Sequence, residues 1–370
     1  MARIGSFEFS LRELGGSLGD FGTLLPLAVG YVTVCGVDPA GLLVFMGLAN
    51  IVTGLVYRLP MPIEPMKVLA VMAIAQAWSP EQVYASGFAM GITWLVLGFS
   101  GIIAWLASRI PQSVIRGIQL SLGLLLIIQG ARMAHSSLLL AGVSLLLILI
   151  LRGSRFAPAS LVLVLGGVVL VAVKGDMPAI QGLSIAFPPV RSFSMDLLWP
   201  AMRDGGLSQI PLTATNAVIA TAALITEYWP DRKVTARQLS LNMGIMNLVG
   251  PFLGGIPLCH GAGGLAGQYY FGARTGGTNI IEGSLEIALG LFFAGYIGAV
   301  FQSFPMAIVG AMMVMVGVEM AKFTASVRTP EDWTVVVATV AASLYWNMVA
   351  GFAAGLIVAW LVARIKQVPV

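Results

Sequence analysis

Apolar segments separated by charged residues, proline or glycine follow one another along the whole chain of 370 residues. A helix that crosses the hydrocarbon core of a membrane needs about 20 mainly apolar residues. The pattern therefore predicts an all-α polytopic membrane protein. Its 14 predicted transmembrane segments are 14–33, 40–57, 65–78, 82–107, 112–131, 136–151, 158–173, 207–228, 237–253, 261–272, 280–302, 305–321, 332–346 and 347–363.

Two of these helix starts carry clear local signals. Ser79–Gln82 and Thr329–Asp332 each supply a hydroxyl cap, a proline at the first helical position and an acidic or amide side chain at the third. These two positions are the firmest predicted boundaries.

The longest connection, residues 174–206, separates seven predicted segments from seven. An odd number of segments in each half makes the second half enter the membrane from the opposite side, which is the arrangement of an inverted repeat. Residues 47–70 align without a gap on residues 244–267. Identical pairs in this alignment include Gly47 with Gly244, Asn50 with Asn247 and Pro60 with Pro257.

Composition supports the membrane assignment. Hydrophobic residues make up 58% of the chain and charged residues only 10%, against about 25% charged in soluble domains. With a cytoplasmic N-terminus, fifteen of the 20 Lys and Arg residues fall on the cytoplasmic side, and Lys67 lies within the membrane. The four on the far side are Arg132, Lys174, Arg191 and Arg203. We therefore expect the protein to lie in the cytoplasmic (inner) membrane with both termini in the cytoplasm. We also expect no cleavable signal peptide.

The third and tenth segments differ from the rest because each begins with a stretch that cannot be helical. Prolines interrupt LPMPIEPMK (59–67), and proline and glycines interrupt GGIPLCHGAGGLAG (254–267). Short segments broken by Gly or Pro in corresponding places of two halves indicate a transporter's binding site. Each half-helix would direct its positive N-terminal end, and Lys67 a full charge, toward a small anion.

The candidate site residues follow from this geometry and from polar residues inside predicted segments. Candidate substrate-binding residues are Pro65, Met66, Lys67, Gly261, Ala262, Gly263, Gly264, Thr23, Gln209, Thr213 and Asn216. Candidate proton-coupling residues are Asp20 and Glu64.

Each candidate has a structural alternative. The glycines could merely permit tight helix packing, and Lys67 could extend to the membrane interface. Glu64 could pair with Lys67, and Asp20 could cap a local break in the first segment. Gln209, Thr213 and Asn216 could form a hydrogen-bonded seam between helices.

Four further polar positions are interpreted as structural or left open. Glu282 and Glu286 are expected on a solvated or cytoplasmic face. His260 suits a structural hydrogen bond or a ligand contact equally, and His135 is expected at a loop.

Several function classes are excluded by what the sequence lacks. It has no Gly-rich phosphate loop, no His-Glu-x-x-His and no His and Cys at metal spacing. Cys35 and Cys259 lie in apolar stretches, where a packing role is expected. We therefore expect a protein that is not an enzyme, holds no cofactor or metal and binds no nucleic acid.

Four segments carry a resemblance to a known family. GDFGTLLPL (19–27), LPMPIEPMK (59–67), SQIPLTATNAVIA (208–220) and PLCHGAGGLAGQYYFGARTGG (257–277) resemble the signatures of the molybdate transporter family of plants and bacteria, a relative of the sulfate permease (SulP) family. One departure is Glu64, where the family's motif usually has glutamine. After the last segment we expect no STAS domain of the kind found in most sulfate permeases, in agreement with the molybdate branch.

The resemblance implies a seven-plus-seven inverted-repeat fold with a substrate-carrying core and a gate that commonly makes dimer contacts. The implied core is 1–108 and 207–303, the gate is 109–175 and 304–370, and the inter-repeat connection is 176–206.

The expected function is import of a small tetrahedral oxyanion, molybdate first and sulfate second, by secondary active transport. Proton symport is expected because moving a dianion inward is opposed by about 2.3 kcal/mol per charge per 100 mV. The alternatives are another anion or nucleobase permease on the same fold and an uncoupled anion channel.

Overall fold

The computed structural model describes residues 2–17, 21–103, 109–151, 159–175 and 185–366. An N-terminal hairpin of β1 (Ala2–Ile4) and β2 (Phe7–Phe9) precedes a helical bundle, and β3 (Glu64–Pro65) pairs with β4 (Leu258–Cys259) inside it. The α-helices are α1 (Leu11–Ser17), α2 (Phe21–Thr33), α3 (Pro39–Tyr57), α4 (Lys67–Ala75), α5 (Pro80–Ser100), α6 (Gln112–Ala134), α7 (Leu138–Ile150), α8 (Ala159–Val173), α9 (Leu198–Ala201), α10 (Leu207–Leu212), α11 (Thr221–Tyr228), α12 (Ala236–Val249), α13 (Ala262–Phe271), α14 (Gly277–Ser303), α15 (Met306–Ala321), α16 (Pro330–Tyr345) and α17 (Met348–Lys366).

The two helix starts with clear sequence signals are confirmed. The Ser79 side chain accepts a hydrogen bond from the amide of Gln82, and α5 begins at Pro80. The Thr329 side chain accepts from the amide of Asp332, and α16 begins at Pro330. Each cap satisfies one of the amides that a helix start leaves without a partner in its own helix.

The segment predicted at 207–228 is longer than expected and irregular. Helical structure runs from α9 to α11 and includes π-helical turns at Met202–Gly206 and Thr213–Ala220. These widened turns flank Pro211 in α10, which has no amide to donate to the helical ladder. Wide turns of this kind occur frequently at functional sites.

Helices far apart in the sequence make the main contacts of the bundle. The most extensive pairs are α3 with α14, α5 with α12 and α6 with α15. In the first pair, Gly47 and Gly283 face each other so closely that a methyl group on either would collide with the other's carbonyl oxygen. Small residues let helix backbones approach in this way in membranes.

Apolar side chains cover much of the outside, while several polar side chains are buried inside. Leu139 is 82% exposed and Phe99 66%, whereas Asn50, Gln268 and Asn279 are fully buried. Among the described residues, five helical stretches are long and apolar enough to cross a membrane by length and composition: Pro39–Tyr57, Pro80–Ser100, Gln112–Ala134, Met195–Tyr228 and Gly277–Ile297. Other apolar helices are shorter, so the count of 14 stays a prediction.

The interpretation of Glu282 and Glu286 as a solvated face is wrong. Their exposures are 1% and 3%, because the face of α14 that carries Glu286 packs against α3. There Asn50 donates a hydrogen bond to Glu286 Oε2 at 2.9 Å. His135, expected at a loop, lies in the turn that follows α6.

The close approach of α3 and α14 generates a stability prediction. Gly283→Ala should destabilise the protein by about 1–3 kcal/mol, because the added methyl group meets the rigid backbone of Gly47. Gly142→Ala is the matched control, because no atom lies within 4 Å of a Cβ at that helical position and alanine favours the helix. Thermal unfolding in detergent should show a lower midpoint only for Gly283→Ala; equal midpoints would contradict the packing argument.

Candidate anion-binding site

The two extended stretches meet as a short antiparallel pair inside the bundle. Glu64 lies opposite Cys259, and Pro65 lies opposite Leu258. The amide of Met66 adds a hydrogen bond of 2.9 Å to the carbonyl of Pro257. This pairing joins the stretch that leads into α4 to the stretch that leads into α13, so it brings the two helix starts together.

Two buried asparagines hold the extended stretches in place. Asn279 accepts from the amide of Met61 at 2.9 Å and donates to its carbonyl at 2.6 Å. Asn247 does the same for Leu258, at 2.8 Å and 2.6 Å. Each side-chain amide therefore replaces the helical partners that the non-helical backbone lacks. The sequence analysis did not assign this role to either residue. The one hint was that Asn247 aligns with Asn50 when the two halves of the chain are compared.

The start of α4 is capped by a side chain from another helix. Gln209 Oε1 accepts hydrogen bonds from the amides of Val68 at 2.8 Å and Leu69 at 3.4 Å. Gln209 Nε2 in turn donates to Thr213 Oγ1 at 2.6 Å. Gln209 thus joins α10 to the first turn of α4 and occupies two of its amides. The contacts that Gln209 makes are those of a hydrogen-bonded seam between helices, which was the structural alternative for this residue.

Glu64 and Lys67 form an ion pair at the meeting point of the two helix starts. Lys67 Nζ lies 2.6 Å from Glu64 Oε2, and the side chains are 18% and 2% exposed. The carboxylate also lies directly over the first turn of α13. A methyl group at Gly261 or Gly264 would collide with its oxygens. Glycine is required at both positions for the chain's own carboxylate to approach the positive end of that helix.

The first turn of α13 is open on another side. Gly263 is exposed, and no atom lies within 4 Å of a Cβ built on it. Ala262, the residue before it, is buried. The backbone at Gly263 is therefore reachable from outside, on a side that the Glu64 carboxylate does not cover.

His260 links the two broken stretches. It is fully buried, and its Nδ1 lies 3.2 Å from the carbonyl oxygen of Pro62. The Tyr57 ring packs edge-on against it with a centroid distance of 6.0 Å. A protonated Nδ1 donates to Pro62, so these contacts give His260 a structural hydrogen bond between the halves.

The remaining candidates are placed as follows. Met66 is the residue before the first turn of α4 and is fully buried. Asn216 is half-buried in the π-helical turn that follows α10. The backbone of Thr23 lies in α2, but its side chain is outside the described part of the structure, and Asp20 lies outside the described residues.

A hydrogen-bonded chain connects this site to the α3–α14 interface. Asn279, which holds Met61, also donates to Asn50 Oδ1 at 2.8 Å. Asn50 donates in turn to Glu286. The backbone that precedes Glu64 is therefore tied to a buried carboxylate on α14.

The fold is that of the SLC26 and SulP membrane transporters. The structure is similar to SLC26A9, with a TM-score of 0.73 at 15% identity, covering 96% of this chain and 66% of that one. It is also similar to the transmembrane domain of the cyanobacterium bicarbonate transporter BicA, with a TM-score of 0.69 at 16% identity, covering 93% of this chain and 97% of that one.

Sequence similarity then gives the family. The family model described as a molybdate transporter of the MFS superfamily matches residues 12–126 and 201–320. The chain is 34% identical to molybdate transporter 1 of Arabidopsis thaliana over 94% of this chain and 87% of that protein. It is 30% identical to molybdate transporter 2 of the same plant over 96% of this chain and 87% of that protein.

This chain therefore belongs to the molybdate transporter family, which confirms the resemblance found in the sequence. It is a multi-pass membrane protein of an anion transporter fold. Its curated relatives are transporters and not enzymes, in agreement with the class expected from the sequence.

The Gln209 cap generates a prediction with a matched pair of variants. Gln209→Leu removes the acceptor for the amides of Val68 and Leu69 and should destabilise the protein by about 1–3 kcal/mol. Gln209→Glu keeps an oxygen at the cap and, when protonated, a donor to Thr213, so it should be nearly neutral. Hydrogen exchange should accelerate at the first turn of α4 only in Gln209→Leu; equal exchange in both variants would contradict the capping role.

Proposed function

We propose that this protein imports a small tetrahedral oxyanion, molybdate before sulfate, across the cytoplasmic membrane by secondary active transport. The observation that carries the proposal is the convergence of the α4 and α13 starts beside Lys67. Backbone amides, helix dipoles and an ammonium group are the features that bind oxyanions. The names of the family relatives indicate molybdate as the first choice.

We propose that the substrate-binding residues surround this convergence. The oxyanion would contact Lys67 and the exposed backbone at Gly263, with Gly261, Ala262 and Gly264 completing the turn. Around them the proposed site includes Pro65, Met66, Thr23, Gln209, Thr213 and Asn216. Gln209 acts by orienting the start of α4, since its oxygen already holds that helix's amides.

We further propose a seven-plus-seven inverted repeat with alternating access between core and gate. An offset of 197 relates α3 to α12 and α5 to α14, so the contacts α3–α14 and α5–α12 are equivalent under the repeat. The same offset relates Met61 to Leu258, each held by a buried asparagine. These equivalences support the proposed core of 1–108 with 207–303, and the proposed gate is the remainder, 109–175 with 304–370.

Proton symport is the proposed coupling, because a dianion entering a cell works against the membrane potential. Asp20 and Glu64 are the candidate carriers of the proton. We also propose that both termini are cytoplasmic, because most basic residues would then lie on the cytoplasmic side. The fold is the basis for a further proposal, a dimer formed through the gate.

Uptake into proteoliposomes tests the transport proposal. We expect labelled molybdate to accumulate when an inward acid gradient is imposed, with competition by unlabelled molybdate, weaker competition by sulfate and none by uracil. Equal competition by sulfate would make the protein a general oxyanion permease. Large currents without accumulation would indicate a channel, and no transport of either anion by folded protein would overturn the proposal.

Lys67→Gln tests the site itself. Losing a charge-assisted contact worth about 1.5–3 kcal/mol should raise the KM for molybdate by about 10- to 100-fold. Lys174→Gln is the control, because Lys174 is exposed at the far end of α8. An unchanged KM in Lys67→Gln, with both variants folded, would remove Lys67 from the site.

A further inference from the structure

Glu64 places a negative charge where the proposed substrate would bind. Its carboxylate lies 2.6 Å from the ammonium of Lys67 and against Gly261 and Gly264 at the start of α13. These are the cation and the helix end that the oxyanion would use. In this structure both are already in contact with the protein's own anion.

We infer that Glu64 is a tethered anion that competes with the oxyanion for Lys67 and the α13 start, and that its protonation is the step that admits the substrate. This inference rests on the proposed function and adds a role for one residue of the same site. It makes oxyanion binding and the negative charge on Glu64 mutually exclusive.

Burial explains why protonation, and not a swing of the charged side chain, is the expected step. Glu64 is 2% exposed, so water cannot solvate the carboxylate if Lys67 turns to the substrate. An unpaired buried carboxylate is costly and neutralises by taking up a proton.

Three other titratable groups of the described residues, Cys259, His260 and Tyr31, lie close to Glu64 or to its neighbours. Cys259 lies opposite it in the strand pair and is close enough to interact electrostatically with both Glu64 and Lys67. His260 is the residue after β4, and its side chain contacts the carbonyl of Pro62. Tyr31 of α2 lies within electrostatic range of Cys259. The cationic group in contact with the Glu64 carboxylate is the ammonium of Lys67.

The proton balance of the step is simple. One proton from the aqueous phase forms an O–H bond on the Glu64 carboxylate, and the Lys67 ammonium transfers its hydrogen bond from Glu64 to an oxyanion oxygen. When the oxyanion leaves, Glu64 loses the same proton and pairs with Lys67 again. One proton is therefore taken up for each anion bound.

The test compares binding by the wild type with binding by Glu64→Gln, which keeps the shape of the side chain and removes its charge. Labelled molybdate and labelled sulfate are titrated onto the purified full chain from about pH 6 to about pH 8.5, with proton uptake followed in weak buffer. Glu81→Gln is the control, because Glu81 is exposed in the first turn of α5. Size-exclusion profiles verify that each variant is folded.

In the wild type we expect affinity to fall about tenfold per pH unit and about one proton to be taken up per anion. Glu64→Gln should bind more tightly at alkaline pH, converge with the wild type toward acid pH and take up no proton. Glu81→Gln should match the wild type. When Lys67→Gln is already present, adding Glu64→Gln should raise the affinity for the oxyanion much less, because there is no ammonium group for the loss of the carboxylate to release.

Two results would overturn the inference. Glu64→Gln could bind no more tightly than the wild type at any pH, or it could keep the wild-type pH dependence and proton uptake. Either result, with molybdate still bound and transported, would overturn the tethered anion and leave the proposed function standing. If the folded wild type binds neither molybdate nor sulfate, the proposed function fails, and this inference fails with it.

Discussion

The rest of this structure depends on one constraint: backbone that is not helical must find hydrogen-bond partners inside a helical membrane bundle. Two proline- and glycine-rich stretches cannot form helices, so their amides and carbonyls need partners from elsewhere. The chain supplies those partners by pairing β3 with β4 and by placing Asn247 and Asn279 against Leu258 and Met61. Once the stretches are fixed in this way, two helices must begin at nearly the same point.

That common starting point sets the electrostatic character of the interior. Two helix N-termini and one ammonium group concentrate positive potential in a region of low dielectric, where charge interactions are strong. A buried acid is tolerated there because the surroundings are positive, and glycines leave room for it to come close. The same field that stabilises an internal carboxylate suits an external oxyanion, and this link joins the architecture to the proposed transport.

Features that depend on nearby residues could be predicted from the sequence, and those that depend on distant partners could not. The caps at Ser79 and Thr329 and the proline-broken stretch before Lys67 are local, since a hydroxyl or a proline acts within a few residues. The capping of α4 by Gln209 joins residues about 140 positions apart, and no pattern within one segment reveals it. Glu282 and Glu286 were misassigned for the same reason, because only the packing of α14 shows that they are buried.

The pairing of helices from opposite halves has a consequence for how the chain is made. Asn50 and Glu286 are 236 residues apart, yet they share a buried hydrogen bond at the α3–α14 interface. The first half emerges from the ribosome and enters the membrane while its partners do not yet exist, so α3 must wait with a polar face unsatisfied. Assembly of the α3–α14 interface therefore waits until α14 has been made, and until then α3 is open to wrong contacts.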